Sequence, residues 1–193
     1  MRNIFLHAIT LAAMLFFSGC TSKYMQPVNL SKADMELSGD EAAIVFFRST
    51  YFGGGAQAPI AEFIDNDLKF VAILSAKSKV FYKTTPGKHF FVVGGESGNL
   101  LEADFEGGKT YYSSVKLRPG VLKARFVFGP VENGRIPHGD LQSYKWIANK
   151  PNESAVWFNN SKKSMWQKYE NAFEKHQRAR SENKKIIRPE YGY

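Results

Sequence analysis

The sequence holds a single cysteine, four histidines and no apolar run long enough to cross a bilayer, and each shortage narrows what the chain can be. One cysteine forbids an intramolecular disulfide. The histidines, at 7, 89, 138 and 176, stand far apart, and no Cys or His spacing fits a zinc site, so neither a metal nor a cofactor is expected. No Gly-x-Ser-x-Gly elbow occurs. The glycine-rich stretch 94–98 lacks the following helix and the Lys-Ser pair of a phosphate loop, and reads as an ordinary connection. Asp65 with Asp67, and Glu102 with Asp104, would share a strand face, but as solvated charges of a half-exposed sheet. Nothing here predicts an enzyme. There are no internal repeats. The longest apolar run, Ile4 to Phe17, is about 14 residues, against the roughly 20 that a spanning helix needs.

What the first residues do have is the three-part layout of an export signal. Arg2 supplies the positive start, Ile4 to Phe17 the apolar middle, and Ser18-Gly19 the small residues before Cys20. Phe17-Ser18-Gly19-Cys20 resembles the bacterial lipobox, with Phe17 where leucine is usual. The resemblance implies that residues 1–19 are removed and that Cys20 becomes an acylated first residue. Acylation also accounts for a lone thiol in an oxidising compartment. Each buried methylene contributes about 0.8 kcal/mol, so two or more chains hold firmly where one holds marginally. In sorted lipoproteins an aspartate after the cysteine favours the inner membrane. Here Thr21 follows, which points to the outer membrane with the body facing the periplasm. Residues 20–41 are expected to be the lipidated start and a tether.

Without its first 19 residues the chain keeps 174, one domain by length and enough to bury a core. From Ala42 onward, β-branched and aromatic runs are separated by Gly, Pro, Asn and Asp. Strands are expected at 42–49, 60–65, 68–74, 79–84, 88–93, 100–105, 110–117 and 123–131. Asp65-Asn66-Asp67 and Pro86-Gly87 are turn signals. Alternation such as Ala124, Phe126 and Phe128 against Lys123, Arg125 and Val127 suits a sheet buried on one face. The expected fold is mainly β: an antiparallel β-sandwich over 42–134, then a helical C-terminal region over 135–181 and a flexible tail over 182–193.

In the helical region Asp140 would cap a short helix over 141–148, ended by Pro151, and a longer helix would run from about Glu153 to Ser181. Met165, Trp166, Tyr169, Ala172 and Phe173 recur at helical spacing, as a core stripe or a partner-facing one. Between Ser161 and Arg188 nine Lys or Arg stand against three Glu, a net +6 in a chain of net +8. Lys162, Lys163, Lys168, Lys175, Arg178 and Arg180 are the candidate contacts to an anionic surface. In the periplasm that surface is lipid, lipopolysaccharide or peptidoglycan, not nucleic acid.

The β-region resembles a family of bacterial lipoproteins of unknown function. Four motifs carry the resemblance: Val45-Phe46-Phe47-Arg48, Ile64-Asp65-Asn66 with Asn in place of the usual Gly, Pro86-Gly87-Lys88-His89, and Gly108-Lys109-Thr110-Tyr111-Tyr112. These are strand and turn grammar over roughly 42–117. The resemblance implies a small sandwich similar to transthyretin-like or immunoglobulin-like domains, and no activity. The expected function is therefore a non-enzymatic envelope module. It is held to the membrane by lipid and contacts another envelope protein, an anionic lipid or peptidoglycan. The alternatives are an enzyme acting on envelope carbohydrate or peptide, and a small-ligand binder with a cavity between the sheets near Phe90, Tyr111 and Phe126.

Overall fold

The structure is a computed structural model, and it describes residues 22–49, 55–133, 135 and 141–193. The export signal, Cys20, His138 and Asp140 lie outside these residues.

Among the described residues, two sheets and one long helix make three layers. The strands are β1 (Met25–Pro27), β2 (Ala42–Arg48), β3 (Ala58–Ile64), β4 (Asp67–Leu74), β5 (Ser78–Thr84), β6 (Gly87–Gly94), β7 (Gly98–Phe105), β8 (Thr110–Arg118), β9 (Arg125–Pro130), β10 (Lys145–Asn149) and β11 (Ile186–Ile187), with the helix α1 (Pro151–Arg178) between the last two. The first sheet runs β1-β10-β5-β2-β8-β9 and the second β11-β7-β6-β3-β4. All eight expected strands are present, each within a few residues of its expected ends.

Both sheets are mixed, which corrects the purely antiparallel expectation. β2 pairs parallel with β8, β10 with β5, and β11 with β7. The reason for the first is parity. Hairpins and sheet crossings reverse the chain six times between β2 and β8, so β8 re-enters the first sheet in the direction of β2. Alternation along a strand reports which face is buried, not which way the neighbour runs.

The second correction concerns 141–148. Only Leu141 and Gln142 are helical, and Lys145–Asn149 is β10, closed on one side by β1 and on the other by β5. Pro151 explains the change. The residue before a proline is pushed to extended backbone, and Lys150 sits at φ −83°, ψ 111°. Pro151 then occupies the first turn of α1, where its missing N–H costs nothing. The proline starts the long helix instead of ending a short one.

Both ends of the described residues pack on the sandwich. Met25 enters the core, and residues 182–193, expected as a tail, lie along the sandwich. Ile187 is buried beside β7, and Tyr193 exchanges two backbone hydrogen bonds with Thr110. The apolar residues Ile186, Ile187 and Tyr191, outnumbered by charge in the sequence, account for this.

The inner core lies between the sheets and includes Ile44, Phe46, Ile60, Phe91, Leu101, Phe105, Tyr111, Phe126 and Phe128. A second core lies on the outer face of the second sheet, where α1 docks. There Phe63 stacks on Tyr169 at 4.6 Å, Phe90 meets Phe173 edge-on at 5.4 Å, and Phe70 meets Phe158 at 5.3 Å. Met165, Tyr169 and Ala172 are buried, and Trp166 and Phe173 half-buried, in this seam. The helical stripe is thus the docking face of α1.

The β6–β7 turn comes so close to α1 that only glycine fits at 98. A Cβ there would stand 2.3 Å from the Lys168 carbonyl oxygen. Gly98→Ala is expected to destabilise the fold by about 1–3 kcal/mol through overpacking. Gly39→Ala, with nothing within 4 Å, should stay within about 0.5 kcal/mol. Urea unfolding of the two variants beside the wild type checks the contrast.

Candidate functional site

At the end of the sandwich where β3 begins, β6 ends and β9 begins, α1 overhangs the sheet edge and leaves a cleft of about 490 Å³. Pro59, Ala124, Phe126, Trp157 and Met165 form its apolar floor. Gln57, Asn160, Ser161 and Ser164 add uncharged polar groups, and Lys123 and Lys168 bring the charge. Trp157, Ser161, Ser164 and Lys168 recur three or four residues apart, which puts them on one side of α1, next to the docking stripe. The Lys168 ammonium donates to Ser164 Oγ at 2.7 Å and is steadied at the rim. Trp157 is held by Tyr24 at 5.7 Å and Phe70 at 5.5 Å. An apolar floor with a cationic rim takes an amphiphile: an aliphatic or ring portion inside and an anionic group at the edge.

One wall of the cleft is the β8–β9 connection, and a single carboxylate fixes it. Glu96 accepts hydrogen bonds from the backbone N–H groups of Val121 (3.2 Å), Leu122 (2.6 Å) and Lys123 (2.8 Å), and from Arg125 Nε (2.9 Å) and Nη2 (2.5 Å). The N–H groups of Lys123 and Leu122, then Arg125 and Val121, hold its carboxyl down to about 2.

The six candidate cations of the helical region do not form one patch. Lys162 pairs with Asp67 on β4 at 2.5 Å, and Arg178 with Glu174 at 3.4 Å. Lys163 and Arg180 face solvent, Lys168 lines the cleft, and Lys175 lines a smaller recess beside His176. The structure therefore picks Lys168 from the helix and joins it to Lys123, which the sequence reading had placed on a strand without a role.

A second polar constellation lies sealed between the sheets. Glu62 on β3 is 0 % exposed and His89 on β6 is 4 % exposed. Glu62 accepts from the Tyr82 hydroxyl (2.5 Å) and the Thr84 hydroxyl (3.1 Å), and its Oε1 lies 2.7 Å from His89 Nδ1. An ionised carboxylate only accepts, so Nδ1 is the protonated nitrogen. His89, the last residue of the Pro86-Gly87-Lys88-His89 motif, bridges strands of the second sheet and stacks on Phe105 at 5.3 Å. Burial pushes the Glu62 carboxyl up, but hydrogen bonds from His89, Tyr82 and Thr84, with the charge of His89, outweigh it and leave the carboxyl below its ordinary value. Side chains this enclosed clamp the two sheets and do not touch a substrate.

The other nominated residues have structural partners. Arg48 is fully buried, donates from Nη1 to the Ala56 carbonyl and lies 5.3 Å from the Phe126 ring. His176 Nε2 meets Glu102 Oε2 at 2.8 Å, tying α1 to β7. Tyr111 and Phe126 belong to the inner core, whereas Phe90 points to the opposite face, under α1. Among the described residues, no group of three or more His, Cys, Asp or Glu could hold a metal, and no helix is long and apolar enough to cross a membrane.

No protein-family model matches the chain, and no curated protein matches it. What stands is the architecture: two packed sheets, one long C-terminal helix and the cleft between them.

The Glu62 clamp has a pH signature. Because its folded-state carboxyl is depressed, its stabilisation is complete above the ordinary glutamate value of 4.5 and is lost as pH falls below it. Glu62→Gln is expected to cost about 2 kcal/mol at neutral pH, the scale of hydrogen bonds to a buried charge. It should also flatten the acid limb of the stability curve. Thermal unfolding of wild type and variant from neutral pH down to the carboxylate range measures both.

Proposed function

We propose that this chain is an outer-membrane lipoprotein facing the periplasm, of the kind its β-region resembles, and that it binds an anionic amphiphile rather than transforming one. The observation that carries the binding half is the cleft, with Phe126, Trp157 and Met165 in its floor and Lys123 and Lys168 at its rim. The anchoring half rests on Phe17-Ser18-Gly19-Cys20 and on Cys20 being the single cysteine. An enzymatic role finds no support among the described residues of the cleft, whose polar side chains there are amide, hydroxyl and ammonium, without a carboxylate or imidazole for acid–base work. A ligand between the sheets is disfavoured because Tyr111, Phe126 and their neighbours already fill that space.

In this reading the lipid holds the domain at the membrane and the cleft samples what the membrane or the cell wall presents: a lipid, a lipid-linked saccharide, or the acylated end of another envelope protein. The scattered cations of α1 add a weak general attraction to anionic surfaces.

Titration of the purified protein with lysophosphatidylglycerol, below its micelle concentration, is expected to give a saturable change in tryptophan emission, since Trp157 lines the cleft. Ser164→Phe should abolish the change by filling the site. Lys168→Gln should weaken binding about two- to fivefold, the scale of a partly exposed charge contact. No saturable change in the wild type refutes the cleft as the site. Mass spectrometry of the native protein should find a first residue of acylated cysteine; an unmodified thiol, or another N-terminus, refutes the anchor.

A further inference from the structure

Val121 and Leu122, at the tip of the β8–β9 connection, are 84 % and 89 % exposed, two adjacent aliphatic side chains standing in water. A loose loop would need no explanation, but this one is built. Three successive N–H groups, from Val121 to Lys123, converge on Glu96, and Arg125 closes the same carboxylate. Gly120 permits the tight path, since a Cβ there would lie 1.9 Å from the Lys123 carbonyl oxygen and 2.7 Å from Glu96 Oε2. From behind, the Glu96 N–H donates to the Ala124 carbonyl at 2.9 Å. The loop is thus ordered before anything binds, and the entropy of ordering need not be spent on contact.

The charges around the tip have one sign beyond the Glu96–Arg125 pair. Arg118 and Arg125 are the last paired residues of the hairpin, and Lys123 follows the tip. With Arg125 engaged by Glu96, Arg118 and Lys123 are left as exposed cations flanking two aliphatics, and Lys116 is exposed two residues before Arg118. Two side chains fall well short of the roughly 800 Å² per partner of a stable protein interface. Added to another anchoring signal, they suffice to matter at a bilayer, where aliphatic burial and attraction of Lys or Arg to acidic headgroups both contribute.

We propose that the Val121–Leu122 tip inserts into an anionic lipid surface, with Arg118 and Lys123 at the level of the headgroups. Lys123 also lines the cleft, so insertion brings the cleft mouth to the lipid. Tyr24, in ring contact with the cleft residue Trp157, lies four residues after Cys20, a span of at most about 14 Å. An acyl group on Cys20 and the inserted loop would therefore serve the same end of the molecule, although the loop is inferred independently of that anchor.

The test uses the chain from Thr21 onward, which carries every element described above and has no acyl group, so failure of the loop is distinct from failure of the anchor. Cosedimentation with vesicles of phosphatidylcholine and phosphatidylglycerol should exceed that with phosphatidylcholine alone and fall with salt. The double variant Val121→Ser, Leu122→Ser should bind about tenfold or more weakly, given the transfer free energy of the two side chains. Its thermal unfolding should be unchanged, because the exposed side chains contribute little to the core. Since this chain has no cysteine, a fluorophore on Leu122→Cys reports the tip alone. It should shift to the blue with anionic vesicles, while the same label on Thr85→Cys, in the β5–β6 turn at the far end of β6, should not. Equal sedimentation of wild type and double variant, or equal shifts at the two labels, overturns the proposal.

Discussion

The second sheet must be covered on both faces, and most of the molecule follows from that. β3 and β6 send Ile60, Phe91 and Val93 inward and Ala61, Phe63, Phe90 and Val92 outward, all apolar. The inward set is covered by the first sheet. The outward set needs another layer, and α1 supplies it with Phe158, Met165, Tyr169 and Phe173. Aromatic rings dominate this seam because a single helix must cover several strands, and large flat side chains span the distance with few residues. Once the seam sets the helix axis, residues 157–168 of α1 face the start of β3, the end of β6 and the β8–β9 connection, and the cleft is the space left between them.

Charge is admitted to the interior only where geometry neutralises it. Glu62 takes three side-chain partners from both sheets, and Lys79 donates to the Leu141 carbonyl at 2.7 Å and lies 4.3 Å from the Trp146 ring. Burial holds the Lys79 amine and the Arg48 guanidinium below their ordinary values, which is the cost of their position. These groups fix register as well as holding the sheets together. A slip of one residue would turn Glu62 into the aromatic seam and Phe63 into its polar cage. Glu96 is different: it lies at the surface and orders a loop, not a core.

The strands were legible because their ends are written in turn chemistry. Asp65 and Asn66 sit at φ 52° and 58°, the left-handed conformation their side chains tolerate. The stripe from Met165 to Phe173 was legible because one periodicity held over more than two turns. The strands β1 and β11 escaped because two or three residues carry no period, and β10 because Trp146 and Ile147 suit either a helix or a strand. Glu62 had a readable signal that was passed over: it shares a strand face with Ala58 and Ile60, so a charge stood at an inward position. The cleft had none. Trp157, Lys123 and Pro59 lie in three distant segments, and only the seam brings them together.

The position of the cleft also favours binding at a surface over capture from solution. A site meant for soluble ligands gains from walls that close around it, but here one wall is a loop whose backbone is held by Glu96 of the neighbouring β6–β7 turn and whose aliphatic side chains turn outward. That arrangement is unfavourable in water and neutral or better against hydrocarbon. The floor of the cleft is apolar in the same way, with lysines at its edge. In the proposed reading, two adjacent features with the same polarity gradient, aliphatic at the contact and cationic beside it, complement a layer with acidic headgroups outside and methylene chains beneath.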